Sequence, residues 1–529
     1  MREREEVQEV LREVSSGFRL QVSGYRSILI AVSAACLILC YPPFNIGFLA
    51  WFSFIPFFFA IENQDTKKRF TLGYFYGFLF FGAILYWLFK ISVPGALILV
   101  ILLALAPAIF SALCSSSLVS RLSSFVFVPA AWIFTEYMRS HFLTGFPWAL
   151  LGYSQSYNIP TIQISDITGP YGVSFLIVLI NFSVYKAIRK REGRFYVLFF
   201  ALMIYAFNIL YGEYVIKRHY PASELRVASV QGNIPQGEKW DPAFRNSIMR
   251  QYVRLSEKAL SKKPGLLVWP ETAVPGYLAE EKDLKKALTS FVDKNNVHLL
   301  VGSVRDEAGA VFNSAMFLSP AKGIEKHYDK SHLVLFGEYM PFGDRLAWVK
   351  DYIDKPIAEF NRGSEFTVFN FRVVNATSAN NGHVLRTTDF YRFSVLVCFE
   401  DIFPDHVRRF VKEGARFLVN ITNDAWFGKT SAPYQHLEGS IFRAAENKVP
   451  LVRAANTGVS CIIDRTGRVV KYVEVDKDKI FVEGFCIGGI RPSFYRTFYT
   501  RFGDVFSWAS IALVMILYTV SVIRERKQK

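Results

Sequence analysis

Residues 393–401 read Phe-Ser-Val-Leu-Val-Cys-Phe-Glu-Asp. An uncharged, largely apolar run of this length is the pattern of a strand buried on both faces, and here it ends at a thiol followed by two carboxylates. Strands buried on both faces belong to sheets that helices cover. Comparable runs occur at 226–234, 266–269, 297–304, 314–318, 417–421 and 451–463. Helical patterns at 242–261, 281–295 and 434–447 separate several of them. Buried strands alternating with amphipathic helices predict an α/β sandwich over residues 220–495.

Outside this segment the chain changes character. Apolar runs with few charges lie at 27–41, 45–61, 71–89, 93–114, 123–138, 171–187 and 195–212, and one more at 505–523. A bilayer core takes roughly 20 helical residues. The pattern therefore predicts a multi-pass α-helical membrane domain of about eight spans, seven within 27–212 and the eighth at 505–523. Basic residues give its orientation. With a cytoplasmic N-terminal segment 1–26 and tail 524–529, the inside connections carry eighteen Lys and Arg, and the short outside ones carry two, Lys90 and Arg139. That asymmetry places the sandwich on the outer side of the membrane and both termini inside. The first run follows 26 polar residues and precedes another span, so no cleaved signal peptide is expected.

The composition agrees. Of 529 residues, 51% are hydrophobic, 16% aromatic and only 20% charged, which excludes a disordered or fibrous chain and is unlike an ordinary soluble enzyme. The formal charge of +16 suits nucleic acid or an anionic membrane face. Its distribution assigns it to the membrane, so no nucleic-acid partner is expected. Six scattered Cys form no CxxC or Cys/His cluster, so neither a metal site nor a disulfide scaffold is expected.

Three strand ends carry reactive groups. Glu271 follows Leu-Val-Trp-Pro, Lys330 ends Tyr-Asp-Lys ahead of His-Leu-Val-Leu-Phe-Gly-Glu-Tyr, and Cys398 closes the strand quoted above. A thiol needs a proton acceptor and a cation to become a nucleophile; a carboxylate and an ammonium supply both. Taken singly, each has a plain reading: a small core residue, a helix-start acid, a solvated Lys–Asp pair. Glu400 would share the face of Cys398 if the strand continued, or would start a helix. Glu136, within or at the end of a span, is read as a local pair with Arg139. His332, His406 and His436 lack metal-like spacing and are read as structural, and Cys461 and Cys486 as buried thiols.

Together, Trp269-Pro270-Glu271-Thr272, the Lys330 block and Val397-Cys398-Phe399-Glu400-Asp401 resemble the Glu-Lys-Cys triad blocks of the nitrilase superfamily. Their wording is similar to its membrane-bound branch, the apolipoprotein N-acyltransferases. Further matching blocks are 230–234 with Lys239-Trp240-Asp241-Pro242, 420–428, 453–458, Thr144-Gly145-Phe146-Pro147-Trp148 and Gly152-Tyr153-Ser154-Gln155. Two departures are Leu335, where Pro is more frequent, and Phe399, where Tyr is common and a hydroxyl is lost.

The resemblance implies an αββα sandwich with Cys398 as nucleophile, Glu271 as general base and Lys330 as oxyanion stabiliser. It makes Glu338 a second carboxylate that orients Lys330 or the incoming amine. The implied activity moves the sn-1 acyl chain of a phospholipid, through a cysteine thioester, to the α-amine of the diacylglyceryl-cysteine that begins a bacterial apolipoprotein. It implies the cytoplasmic membrane, a periplasmic catalytic domain and no metal or cofactor; a monomer is expected. Loops 274–280 and 339–366 are rich in aromatic side chains and read either as lids over an acyl chain or as packed ornaments. Trp240, Trp148, Tyr339 and Phe399 are the candidate substrate or lipid contacts, with interface anchoring the other reading for the two tryptophans. The competing functions are a membrane-tethered amidohydrolase and a scaffold or transporter carrying an inactive nitrilase-like domain.

Overall fold

A computed structural model describes residues 24–114, 123–189, 194–218, 223–340, 359–378 and 384–528. The N-terminal part is a helical bundle: α1 (Gly24–Ile38), α2 (Phe54–Ile61), α3 (Thr66–Ile84), α4 (Val93–Leu113), α5 (Ser124–His141), α6 (Pro170–Arg189) and α7 (Arg194–Lys217). Helix α3 starts where the Asp65 carboxylate accepts from Lys68 N at 2.9 Å, and α4 where Ser92 Oγ accepts from Gly95 N. These two helices pack backbone to backbone. A Cβ on Gly77 would stand 2.8 Å from the Ala104 Cα, and one on Gly73 would strike Ser111 and Pro107. Small residues at that seam permit the close approach that drives helix association in lipid.

Among the described residues, four helices are long and apolar enough to cross a bilayer: Val93–Leu113, Pro170–Arg189, Tyr196–Lys217 and Val505–Ile523. The expected second span, 45–61, is not one helix. It breaks into a 3₁₀ turn (Gly47–Trp51) and α2, whose 8 residues cover only about 12 Å. The break has a cause: the Asn181 side chain, from α6, accepts from Phe54 N at 2.9 Å and donates to the Ala50 carbonyl at 2.8 Å. The expected span 71–89 begins earlier, at Thr66, and ends in a 3₁₀ turn at Tyr86–Lys90. Most of the N-terminal segment 1–26 and the connection 115–122 lie outside the described residues.

The second part holds two six-stranded sheets. The first contains β1 (Leu225–Gln231), β2 (Leu266–Val268), β3 (His298–Glu307), β4 (Ala310–Ser319) and β5 (Gly323–Asp329). The second contains β6 (Phe369–Ser378), β7 (Val384–Val397), β8 (Phe417–Thr422), β9 (Leu451–Ala455), β10 (Cys461–Ile463) and β11 (Val469–Tyr472). A final strand, β12 (Gly484–Ile490), returns to the first sheet, giving the orders β12-β1-β2-β3-β4-β5 and β11-β10-β9-β8-β7-β6. In each sheet three central strands run parallel and the outer ones antiparallel.

Alternation along the strands divides their side chains between two cores. Val227, Leu266, Val268, Leu300 and Phe317 meet Phe369, Phe393, Val395 and Phe417 between the sheets. Ala228, Val230, Leu267, Trp269 and Val301 face the other way, against α8 (Arg245–Leu260) and α9 (Lys282–Asn295). Helices α10 (Pro404–Lys412) and α11 (Ala432–Asn447) cover the second sheet. The result is the expected αββα sandwich.

Helix α11 joins the two parts. The Gln435 Oε1 accepts from the indole N–H groups of Trp87 (3.1 Å) and Trp148 (2.9 Å), and Gln435 Nε2 donates to the Ile84 carbonyl. Arg443 donates to the Tyr153 hydroxyl, and the Lys448 ammonium reaches Gln163 Oε1 at 2.9 Å and Asp166 at 3.5 Å. The last helix, α12 (Val505–Gln528), packs on α5 and runs past the expected end of the eighth span at residue 523.

Candidate active site

Cys398 follows the last residue of β7 and opens a 3₁₀ turn, Cys398–Ile402. Its φ of 57° is left-handed, a conformation that costs a side-chain-bearing residue energy and persists only where its surroundings enforce it. Here the Asn420 amide, from β8, donates to the Cys398 carbonyl at 2.8 Å and to the Leu396 carbonyl at 3.3 Å. The strand thus stops abruptly and its thiol sits half-buried at the strand's mouth.

Glu271 lies just past β2. Its loop is pinned against β3 at Gly302, where a Cβ would meet the Pro270 oxygen and Thr272 N, so a larger residue would displace the acid. Asn313, from β4, donates to Glu271 Oε1 at 2.7 Å and lies 3.2 Å from Glu338 Oε1. Lys330 follows β5. Its Nζ is 2.8 Å from Glu338 Oε1 and 4.0 Å from Glu271 Oε1, and 5.2 Å from the centre of the Phe399 ring. The second Glu338 oxygen accepts from Val334 N at 2.8 Å, which folds the 334–338 loop around the lysine. Three strand ends that sequence reading singled out separately therefore converge with Glu338 at one end of the sandwich.

Burial sets the protonation states. It raises the Glu271 carboxyl above the ordinary carboxylate range, against the opposing field of Lys330. Burial alone would lower Lys330, but Glu338, Cys398 and Glu271 together raise it, so the amine is a firm ammonium. The Cys398 thiol is pushed well up, first by burial and then by Glu271, with Lys330 opposing. At rest the site therefore holds a neutral thiol, a carboxyl of raised proton affinity and a fixed cation. That set can form a thiolate only in concert with proton transfer.

Glu400 is fully buried behind the nucleophile. It accepts from Val397 N (2.7 Å), Ser331 N and His332 N (both 2.9 Å) and the Tyr328 hydroxyl (2.8 Å). Burial works to raise its pKa, but His406 above all, then the Val397 N–H and the Lys330 charge, bring it down to about 2. It clamps the Cys398 turn to the segment after Lys330. A second buried cluster lies alongside: the His436 ring is held between Asp401 (2.8 Å) and Asp424 (3.0 Å), and the Arg453 guanidinium reaches Asp401 (2.8 Å), Asp424 (3.3 Å) and Asn420 (2.7 Å).

The other expected contacts fall in different places. Trp240 is 50% exposed, beside the buried Lys239, whose ammonium donates to the Glu271 carbonyl at 2.9 Å. Phe399 covers Lys330, and Tyr339 is half-buried with its carbonyl accepting from Phe336 N. Trp148 departs from expectation: it is buried at the α11 seam, against Trp87 and His436, because its N–H is spent on Gln435. Residues 341–358, most of the second aromatic loop, lie outside the described residues. Glu136 forms the expected pair with Arg139, at 3.7 Å, and also accepts from Leu151 N. Sequence reading missed Asn313 and gave Lys239 no role. The one sign of Asn313 was an amide within a largely apolar strand. Among the described residues no group of three or more His, Cys, Asp or Glu is arranged to hold a metal.

Residues 33–183 match the apolipoprotein N-acyltransferase N-terminal domain, and residues 226–483 match the carbon-nitrogen hydrolase family. A Geobacter metallireducens apolipoprotein N-acyltransferase is 38% identical over 92% of this chain and 94% of its own. The chain belongs to the apolipoprotein N-acyltransferase family. It is a membrane protein and an acyltransferase of the carbon-nitrogen hydrolase superfamily. The Methylococcus capsulatus apolipoprotein N-acyltransferase is 30% identical over 95% of this chain and 97% of its own. Among solved structures, Saccharomyces cerevisiae Nit3, of the nitrilase superfamily, covers 51% of this chain and 93% of its own at 15% identity, with a TM-score of 0.37.

Proposed function

We propose that the protein transfers the sn-1 acyl chain of a phospholipid to the α-amine of the N-terminal diacylglyceryl-cysteine of an apolipoprotein, by way of a thioester on Cys398. The observation that carries this reading is the convergence of Glu271, Lys330 and Glu338 beside Cys398 in a chain of this family. Glu271 takes the Sγ proton as the sulfur attacks the ester carbonyl, and Lys330 steadies the oxyanion. Collapse expels the sn-1 alkoxide, which takes the proton from Glu271 and leaves as lysophospholipid. The acceptor amine, deprotonated by Glu271, then attacks the thioester, and the departing thiolate recovers that proton. Glu338 holds Lys330 in place throughout.

Both substrates are membrane-anchored, which fits a thiol tethered to a bilayer by helices on either side in sequence. The charge asymmetry of the connections supports eight spans with both termini cytoplasmic and residues 213–504 in the periplasm, in the bacterial cytoplasmic membrane. The test is to supply purified protein with labelled phospholipid and a diacylglyceryl-cysteine peptide. Acyl transfer should give an N-acylated peptide and lysophospholipid in equal amounts; free fatty acid with no acylated peptide would mean a hydrolase.

A further inference from the structure

Two buried cations serve this site, and the triad uses one. Lys239 sits on the segment between β1 and α8, 2% exposed, and Glu271 and Cys398 are the groups whose charge it feels. The Lys330 ammonium is closest to Glu338, at 2.8 Å, and stands off from Glu271 at 4.0 Å. Counting Lys330 alone, two carboxylates would face a single cation in a place from which water is largely excluded. Lys239 closes that gap, and its N–H···O bond to the Glu271 carbonyl, 2.9 Å, fixes it to the backbone of the acid.

We propose that Lys239 is a positioning residue that balances the charge of the Glu271–Cys398 pair, so that Glu271 is a carboxylate able to accept the thiol proton. The inference rests on the triad roles proposed above. When the proton moves from Sγ to Glu271, negative charge moves from carboxylate to sulfur, and Lys239 faces both. The other charged groups around the pair are Lys330, Glu338, Asp424 and Arg453, the last two engaged with each other and with His436. Burial lowers the Lys239 pKa to about 8, against the pull of Glu271 and Cys398, so this cation is present at neutral pH and disappears just above it.

Lys239→Gln tests the charge, because a glutamine amide keeps a donor for the Glu271 carbonyl and removes the cation. The readout is the rate of Cys398 alkylation by iodoacetamide against pH, followed by mass spectrometry of the Cys398 peptide in the full-length protein. At pH 7 the variant should react about tenfold more slowly than the wild type, the effect of one pKa unit. The difference should close above about pH 8, where the wild type loses its ammonium. A variant slowed equally at every pH, or not slowed at all, overturns the proposal. The wild-type profile is an independent check should the variant not fold: it should fall below a single-ionisation curve near pH 8, and a clean single ionisation overturns the proposal. A wild type that shows the bend but takes no acyl group from phospholipid supports this inference and contradicts the function proposed above.

Discussion

Two clusters of buried charge flank Cys398, and they are built to opposite specifications. The cluster behind it, Asp401, Asp424, His436 and Arg453, is closely hydrogen-bonded, with His436–Asp401, His436–Asp424 and Arg453–Asp401 contacts of 3.0 Å or less and another from Arg453 to Asn420. Burial works to raise both Asp pKa values, yet His436 and Arg453 lower them, so the charged forms are favoured in the fold. The cluster in front, Glu271, Glu338, Lys330 and Lys239, leaves Lys330 4.0 Å from Glu271 and holds that acid above its ordinary range. The tightly bonded cluster stabilises the turn that carries the nucleophile, while the looser one keeps a proton acceptor at a cost to stability. Counting charges would not separate them; geometry does.

The largest expected effect breaks the rear cluster. Arg453→Met takes one of the two cationic partners, Arg453 and His436, from Asp401 and Asp424, and removing one partner of a buried charge set costs about 3–5 kcal/mol. A thermal melt of the purified variant should show a large fall in midpoint, and an unchanged midpoint would mean that the rear cluster is not structural. The front cluster should respond first in rate. Lys330→Met should slow thioester formation on the order of 10²-fold, the cost of an oxyanion contact in a dry site, and should also lower the melting midpoint, because Glu338 loses the cation 2.8 Å away. Single-turnover kinetics on protein shown by the melt to be folded isolates the rate effect, and unchanged thioester formation would remove Lys330 from the oxyanion role.

The smallest effect is a matter of sign. A carboxyl whose folded-state pKa is raised is stabilising below its ordinary pKa and costs stability as pH rises above it. Glu271→Gln, which keeps the Asn313 contact, should therefore block thioester formation yet melt at or slightly above the wild-type temperature at pH 7. The two proteins should converge below about pH 4, where an ordinary carboxylate is protonated. A variant clearly less stable than wild type at pH 7 would place Glu271 with the structural charges.

The same contrast explains what could be read from the sequence. Glu271 and Cys398 stand out because each ends an apolar run with a reactive group, Lys330 stands out through the block around it, and the central strands β2, β3, β7 and β8 each carry an apolar run, at 266–268, 299–301, 395–397 and 417–419. Strand β5 escaped because Glu325, Lys326 and His327 face solvent, and β12 because its glycines interrupt the pattern. Helix α11 was legible as a helix, but its role as the joint was not. Gln435, Arg443 and Lys448 look like an ordinary polar face until the bundle supplies Trp87, Trp148, Tyr153 and Gln163. The broken second span was hidden for the same reason, since Asn181 lies more than a hundred residues away in sequence. Long-range partners of single polar side chains leave no mark on local periodicity.

The central claim, that Cys398 carries the acyl chain between two membrane-bound substrates, is tested most directly by peptide mass spectrometry after exposure to phospholipid alone. The account predicts an acyl adduct on Cys398 that accumulates without acceptor, is absent in Cys398→Ala, and clears when a diacylglyceryl-cysteine peptide is added. An unmodified Cys398 in protein that still acylates the peptide, or transfer by Cys398→Ala, would contradict it.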